Sequence, residues 1–183
     1  MRGFRIGSAF GIPVRLNWTF LIVLPLFAVF IAWDIAEFVQ VINGTFGATL
    51  DPDQLTGGNL PWVLGLASAL GLFAGVLLHE FGHSLVALRY GYEIDSITLW
   101  LLGGVASFTD FPEDWRHELV IAVAGPVVSV LLGVGSYVAF TSLPSSVYAA
   151  RFVFGYLAIL NLVLAAFNLL PGFPMDGGRI LRA

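Results

Sequence analysis

The fold class this sequence predicts is an all-α membrane protein, a polytopic helical bundle, and three observations predict it. Of its 183 residues, 58% are hydrophobic and only 11% are charged, where soluble domains carry about 25% charged residues. The mean hydropathy is +0.89. Apolar stretches of roughly 20 residues, the length that crosses a hydrocarbon core as a helix, recur four times.

The first span is expected over residues 16–38, bent at Pro25, and the second over 60–87. The third is expected over 119–140 and the fourth over 148–170, with a fifth helix starting near Gly177. Arg2 and Arg5 stand before an apolar run, as in a signal peptide. That run is longer than a signal peptide's apolar region and lacks a small-x-small cleavage site, so it reads as a retained span. A polar, glycine-rich stretch over residues 43–59 carries Asp51 and Asp53. The loop over residues 89–118 is the longest connection. Within it, residues 94–108 are too short and too interrupted by Gly103 and Gly104 to span, yet rich in strand-favouring types. They read as a short re-entrant β-hairpin between spans two and three, the alternative being an amphipathic interfacial loop. The whole chain, 1–183, reads as one transmembrane domain, the core of a longer protein.

Seven of the eight arginines (Arg2, Arg5, Arg15, Arg89, Arg116, Arg179 and Arg182) fall on one side of these spans, and only Arg151 on the other. The positive-inside rule then puts the N-terminus and the long loop in the cytoplasm. A multi-pass protein of a prokaryotic cell membrane is the expected localisation, with the lipid bilayer as solvent. A net charge of -4 and the absence of lysine argue against a nucleic-acid surface. With no cysteine, neither disulfides nor a thiolate metal site is available.

The second span contains His79-Glu80-Phe81-Gly82-His83. Histidines four apart share one helix face and can reach one metal, the HExxH spacing of zinc peptidases. Glu80 sits about 100° around the axis from His79, beside a metal rather than stacked with its ligands. From there a carboxylate can take a proton from water that zinc has acidified and pass it to a leaving amine. His83 precedes Arg89 by six residues, or roughly 9 Å, which places the cluster inside the membrane toward its cytoplasmic face. A structural polar cluster is the bland alternative. Against it, a carboxylate at mid-bilayer costs about 3 kcal/mol and is rarely kept without a function.

A catalytic zinc needs a third protein ligand. His117 lies in the interfacial-looking run Glu113 to Glu118 and is the weaker candidate. Asp176 follows Pro171, Gly172 and Pro174, which break the fourth span where irregular backbone must be buried or line a cavity. The competing role for Asp176 is a helix cap. Asn168 can hydrogen-bond substrate backbone or an oxyanion, or simply cap its helix. Gly71 and Gly75 form a small-xxx-small pair best read as helix packing. Asp34 and Glu37 lie near the outer end of span one, within reach of water.

His79-Glu80-Phe81-Gly82-His83, combined with Leu170-Pro171-Gly172-Phe173-Pro174-Met175-Asp176-Gly177-Gly178-Arg179, resembles the site-2 protease family of intramembrane zinc metalloproteases. In that family an N-x-x-P-x-x-x-x-D-G pattern supplies the third ligand. The resemblance therefore implies zinc held by His79, His83 and Asp176, with Glu80 as general base. Ala124-Gly125-Pro126 matches a further family signature, with Ser129 standing where relatives often carry asparagine. The likeness covers about residues 60–179. It implies substrates that are transmembrane proteins, such as membrane-anchored transcription regulators or signal-peptide remnants. It also implies a hairpin, containing Gly103 and Gly104, that receives an unwound substrate as an added strand, and a substrate-binding role for Asn168. Competing readings are a non-proteolytic membrane metal-binding protein and a metal transporter using the same site.

Overall fold

Apolar helix length and the glycines between helices organise this chain. The computed structural model describes residues 3–101, 103–109, 114–172 and 175–182. The order is β1 (Phe4–Ala9), β2 (Ile12–Leu16), α1 (Phe20–Trp33), α2 (Ile35–Phe46), α3 (Leu60–Arg89), β3 (Ile94–Trp100), β4 (Gly103–Phe108), α4 (Trp115–Ser142), α5 (Tyr148–Asn168) and α6 (Asp176–Arg182). Of the expected features, Arg2, Glu113, Phe173 and Pro174 lie outside the described residues.

Helices α3, α4 and α5 are each long and apolar enough to cross a membrane. Exposed Leu70, Leu131 and Val163 give each an outward apolar face. Pro61 stands in the first turn of α3, where its missing N–H costs nothing. Gly91, at φ 87°, supplies the left-handed turn that follows the helix's end. The Asp114 side chain caps α4 by accepting from the Arg116 N–H at 2.8 Å.

The expectation of one helix over residues 16–38 is corrected. Leu16 ends a strand, α1 begins at Phe20, and the chain turns by 75° between α1 and α2. The break is at Asp34 and not at Pro25, which α1 accommodates. Its physical basis is amphipathicity beyond the break. Ile35, Val39 and Ile42 recur at helical spacing and enter a core with Leu64, Phe152 and Tyr156, while Glu37 and Gln40 remain exposed.

A second correction concerns the strands. The helical bundle stands, but the one expected hairpin is part of a four-stranded sheet in the order β1-β2-β3-β4. β1 pairs antiparallel with β2, and β3 with β4. β2 runs parallel to β3 with Val14 opposite Ile97 and Leu16 opposite Leu99, and the Asn17 N–H donates to Leu99 O at 2.8 Å. The parallel pair is joined by a crossover that includes α1, α2 and α3, so no local pattern announces it. Ile12, Val14 and Ile97 pack on Phe81 of α3, and Leu99 packs with Phe20, Val23 and Phe73. The sheet is thereby fastened to the half of α3 that carries the histidines.

Close helix approaches fall at glycines. A Cβ on Gly65 would lie 2.2 Å from Ala28 O of α1, and one on Gly71 would lie 2.8 Å from Leu157 Cδ1 of α5. A Cβ on Gly75 would lie 2.6 Å from Asn161 Oδ1, so Gly71 and Gly75 both serve the contact with α5. Because the Gly65 neighbour is backbone, Gly65→Ala is expected to destabilise the α1–α3 pair by about 1–3 kcal/mol. Thermal unfolding in detergent micelles checks this; an unchanged melting temperature contradicts it.

Candidate metal centre

One turn of helix separates His79 from His83 on α3, and both side chains are buried, each residue only 3% exposed. Their Nε2 atoms are 3.1 Å apart. Asp176, the first residue of α6, points its Oδ2 at both, 3.2 Å from His79 Nε2 and 3.1 Å from His83 Nε2. Ligands at about 2.0–2.1 Å around a tetrahedral zinc are themselves separated by about 3.3 Å. The triangle of two imidazole nitrogens and one carboxylate oxygen matches that spacing and suits a divalent zinc-like ion. Among the described residues it is the one group of three that could hold a metal.

The outer nitrogens explain how the rings are aimed. His83 Nδ1 lies 2.7 Å from Ile121 O. A carbonyl only accepts, so the proton sits on Nδ1 and the Nε2 lone pair is free for a metal. His79 Nδ1 lies 2.9 Å from Ser129 Oγ, which holds the second ring in the same sense. Both partners belong to α4. Pro126 withholds the N–H that Ala122 O, next to Ile121, would otherwise receive. Between the two partners stands Gly125, where a Cβ would lie 2.2 Å from His83 Nε2 and 2.7 Å from His79 Nε2. Only glycine lets α4 come this close.

Glu80 turns from the histidines toward the sheet. The Ala106 N–H of β4 donates to Glu80 Oε2 at 3.2 Å. A Cβ on Gly104 would lie 2.4 Å from Glu80 Cγ, so this glycine makes room for the carboxylate stem. Gly103, at φ 127°, lies farther along α3, where a Cβ would be 3.8 Å from Val76 Cγ1. A cleft of about 700 Å³ opens here. His79, Glu80, His83 and Asp176 line it, with Gly104, Val105 and Ala106 of β4 on one wall and Leu164, Phe167 and Asn168 of α5 on another. Asn168 Nδ2 donates to Leu164 O at 2.9 Å, so its amide nitrogen is engaged within its own helix.

The structure thus brings together His79, Glu80, His83, Asp176, Gly104 and Asn168, with Gly103 one residue beyond the cleft wall. His117 lies elsewhere, stacked on Tyr90 at 4.1 Å between ring centroids and 3.0 Å from Tyr92 Oη. Sequence reasoning left two positioning groups unassigned. Ser129 carried a signal, its place three residues after the proline of the Ala-Gly-Pro segment; Ile121 acts through its carbonyl, and no side-chain pattern reports that. Glu118, read as part of an interfacial run, is instead buried and ion-paired to Arg182 and Arg179.

Fold and site together define a class: a multi-pass membrane protein with a buried cluster of two histidines and one carboxylate that could hold a metal ion. The sequence matches peptidase family M50 over residues 67–150 and 144–183, and the chain belongs to that family. It is 41% identical to the Synechocystis protein sll0528 over 98% of this chain and 43% of that protein. It is 37% identical to MJ0392 of Methanocaldococcus jannaschii over 98% of this chain and 44% of that protein. Both relatives carry zinc metalloprotease in their names. The fold is similar to a solved site-2 protease from M. jannaschii, with a TM-score of 0.62 and 32% identity over 99% of this chain and 70% of that one. The chain spans less than half the length of these two named relatives.

Two outcomes are expected at the centre. Gly125→Ala should abolish stoichiometric zinc binding while leaving the helical circular dichroism intact, since its Cβ would occupy the space of the imidazoles. Ser129→Ala, which removes only an orienting group, should weaken zinc about 10–100-fold. Competition with a chromophoric chelator measures both, and equal affinities for wild type and Ser129→Ala would refute the orienting role.

Proposed function

We propose that this chain is the catalytic core of an intramembrane zinc metalloendopeptidase, hydrolysing peptide bonds in or near transmembrane segments of other membrane proteins. The observation that carries the reading is the triangle of His79 Nε2, His83 Nε2 and Asp176 Oδ2 at 3.1–3.2 Å, opening on a cleft that Glu80 shares. His79, His83 and Asp176 would hold the ion. Zinc there supplies Lewis-acid polarisation of a carbonyl and acidifies water.

The remaining work belongs to the chain's own groups. Glu80 is the general base: its carboxylate takes a proton from the attacking water and returns it to the departing amine. The Ala106 N–H, 3.2 Å from Oε2, steers that carboxylate and keeps it from rotating away. A helical substrate hides its carbonyls in intrahelical hydrogen bonds, so it must be unwound before it is cut. β4 is an edge strand of the sheet and borders the cleft, which supports the reading that the unwound segment adds to it as a further strand. Gly103 and Gly104 keep that edge low, and Asn168 faces the segment from the opposite wall. The re-entrant placement of the β3–β4 hairpin is supported by Gly103 lying beside Val76, 13 residues before the end of α3, or roughly 20 Å along it. A cytoplasmic N-terminus and active-site side rest on the arginine asymmetry, and the pairing of β2 with β3 agrees in keeping both segments on one side.

The test is cleavage of a purified transmembrane substrate by the full-length protein in detergent or liposomes. Chelation should stop cleavage and zinc should restore it. Glu80→Gln should lower the rate by 10²-fold or more, within the range general-base catalysis contributes, while still binding zinc. Cleavage that survives either treatment rules the mechanism out. Zinc flux into liposomes without cleavage would favour the transporter reading instead.

A further inference from the structure

The third metal ligand stands at the start of α6, so its position depends on how α6 is held. α6 (Asp176–Arg182) opens with Asp176 and packs along α4. Its start is wedged against the end of α5: a Cβ on Gly177 would lie 2.3 Å from both Leu169 O and Leu170 O. A rotation of α6 about this contact would move Asp176 Oδ2 off the histidines.

The other end is tied to α4. Glu118 is 8% exposed, and its Oε1 accepts from Arg182 Nη2, with Arg179 Nε 3.8 Å away. Arg179 is three residues from Asp176 and so leaves α6 about 60° around the axis from it, with Arg182 about 60° further on. The metal ligand and the ion pair therefore occupy one side of the helix. A carboxylate this buried is costly without partners, and removing one partner leaves an uncompensated charge. Glu118 also lies in line with the groups that aim the histidines. Residues 118, 121, 125 and 129 recur at spacings of three and four, and all four are buried on one stripe of α4.

Resting on the metallopeptidase reading, we propose that Glu118 is a positioning residue for the metal centre: its ion pair with Arg182 and Arg179 clamps α6 to α4 and so sets the position of Asp176. On this account one stripe of α4 places every ligand. Ser129 sets His79, the Ile121 carbonyl sets His83, and Glu118 sets Asp176 through the arginines.

The test uses full-length protein in detergent and reads metal rather than cleavage. Zinc affinity is measured by chelator competition, and the visible spectrum of cobalt-loaded protein reports the ligand set. Glu118→Gln is expected to weaken zinc by about tenfold or more and to shift the cobalt bands as the carboxylate ligand loosens. Arg182→Gln, altering a side chain that is 71% exposed, should act in the same direction and more weakly, because Arg179 remains. The double variant should be no weaker than Glu118→Gln alone, as expected for two ends of one interaction. Unchanged affinity and spectrum in a folded Glu118→Gln protein overturn the clamp, and if that variant does not fold, the same result in Arg182→Gln does so. Additive losses in the double variant also overturn it. Wild-type protein that binds neither metal overturns the metallopeptidase reading along with the clamp, whereas normal metal binding in every variant sinks the clamp alone.

Discussion

Every buried imidazole has two nitrogens, and only one can face a metal, so the partner of the other decides how the ring is held. In water a solvent molecule would serve. Where the rings are buried in the protein the partner must come from the protein, because an unsatisfied buried polar group costs several kcal/mol. Here α4 supplies both partners, Ser129 Oγ for His79 and Ile121 O for His83. That requirement brings α3 and α4 to a separation that only small residues permit. It accounts for Gly82, whose Cβ would lie 2.8 Å from Ala124 O, and for Gly125, whose Cβ would strike both rings.

The same constraint explains why the buried polar residues of the site stand so close together. His79, His83 and Asp176 satisfy one another at 3.1–3.2 Å. Glu80 is met by a backbone N–H from an edge strand, a donor available only because β4 has no further strand beyond it among the described residues. A sheet edge is ordinarily a liability, since its unpaired groups invite further strands. On the proposed reading, an edge placed over a cleft would serve as a template for an unwound segment.

Parts of this were legible in the chain and parts were not, for physical reasons. A helix crossing lipid must be long and apolar, so α3, α4 and α5 stand out in the composition itself. The turn at Asp34 did not, because residues on both sides of it are helix formers and only the packing of Ile35, Val39 and Ile42 shows that the axis has changed. β1 and β2 escaped notice because they are six and five residues long and carry Arg5 and Arg15. β1 pairs only with β2, and the place of β2 in the sheet is set by β3, some 80 residues away in sequence. Glu118 read as an interfacial charge because nothing local distinguishes a carboxylate facing water from one facing two arginines of a distant helix.

What the sequence determined by itself was the chemistry: two histidines one turn apart with a glutamate beside them, and a downstream aspartate at a broken helix end. Ligand type and helical spacing are local properties, and 3.6 residues per turn is enough to align them. What only the tertiary structure decided was aim. Which nitrogen of each imidazole is free, how near α4 stands, and where Asp176 points all depend on contacts between residues 38 to 97 positions apart. Such contacts follow from the packing of whole helices rather than from the pattern along any one of them.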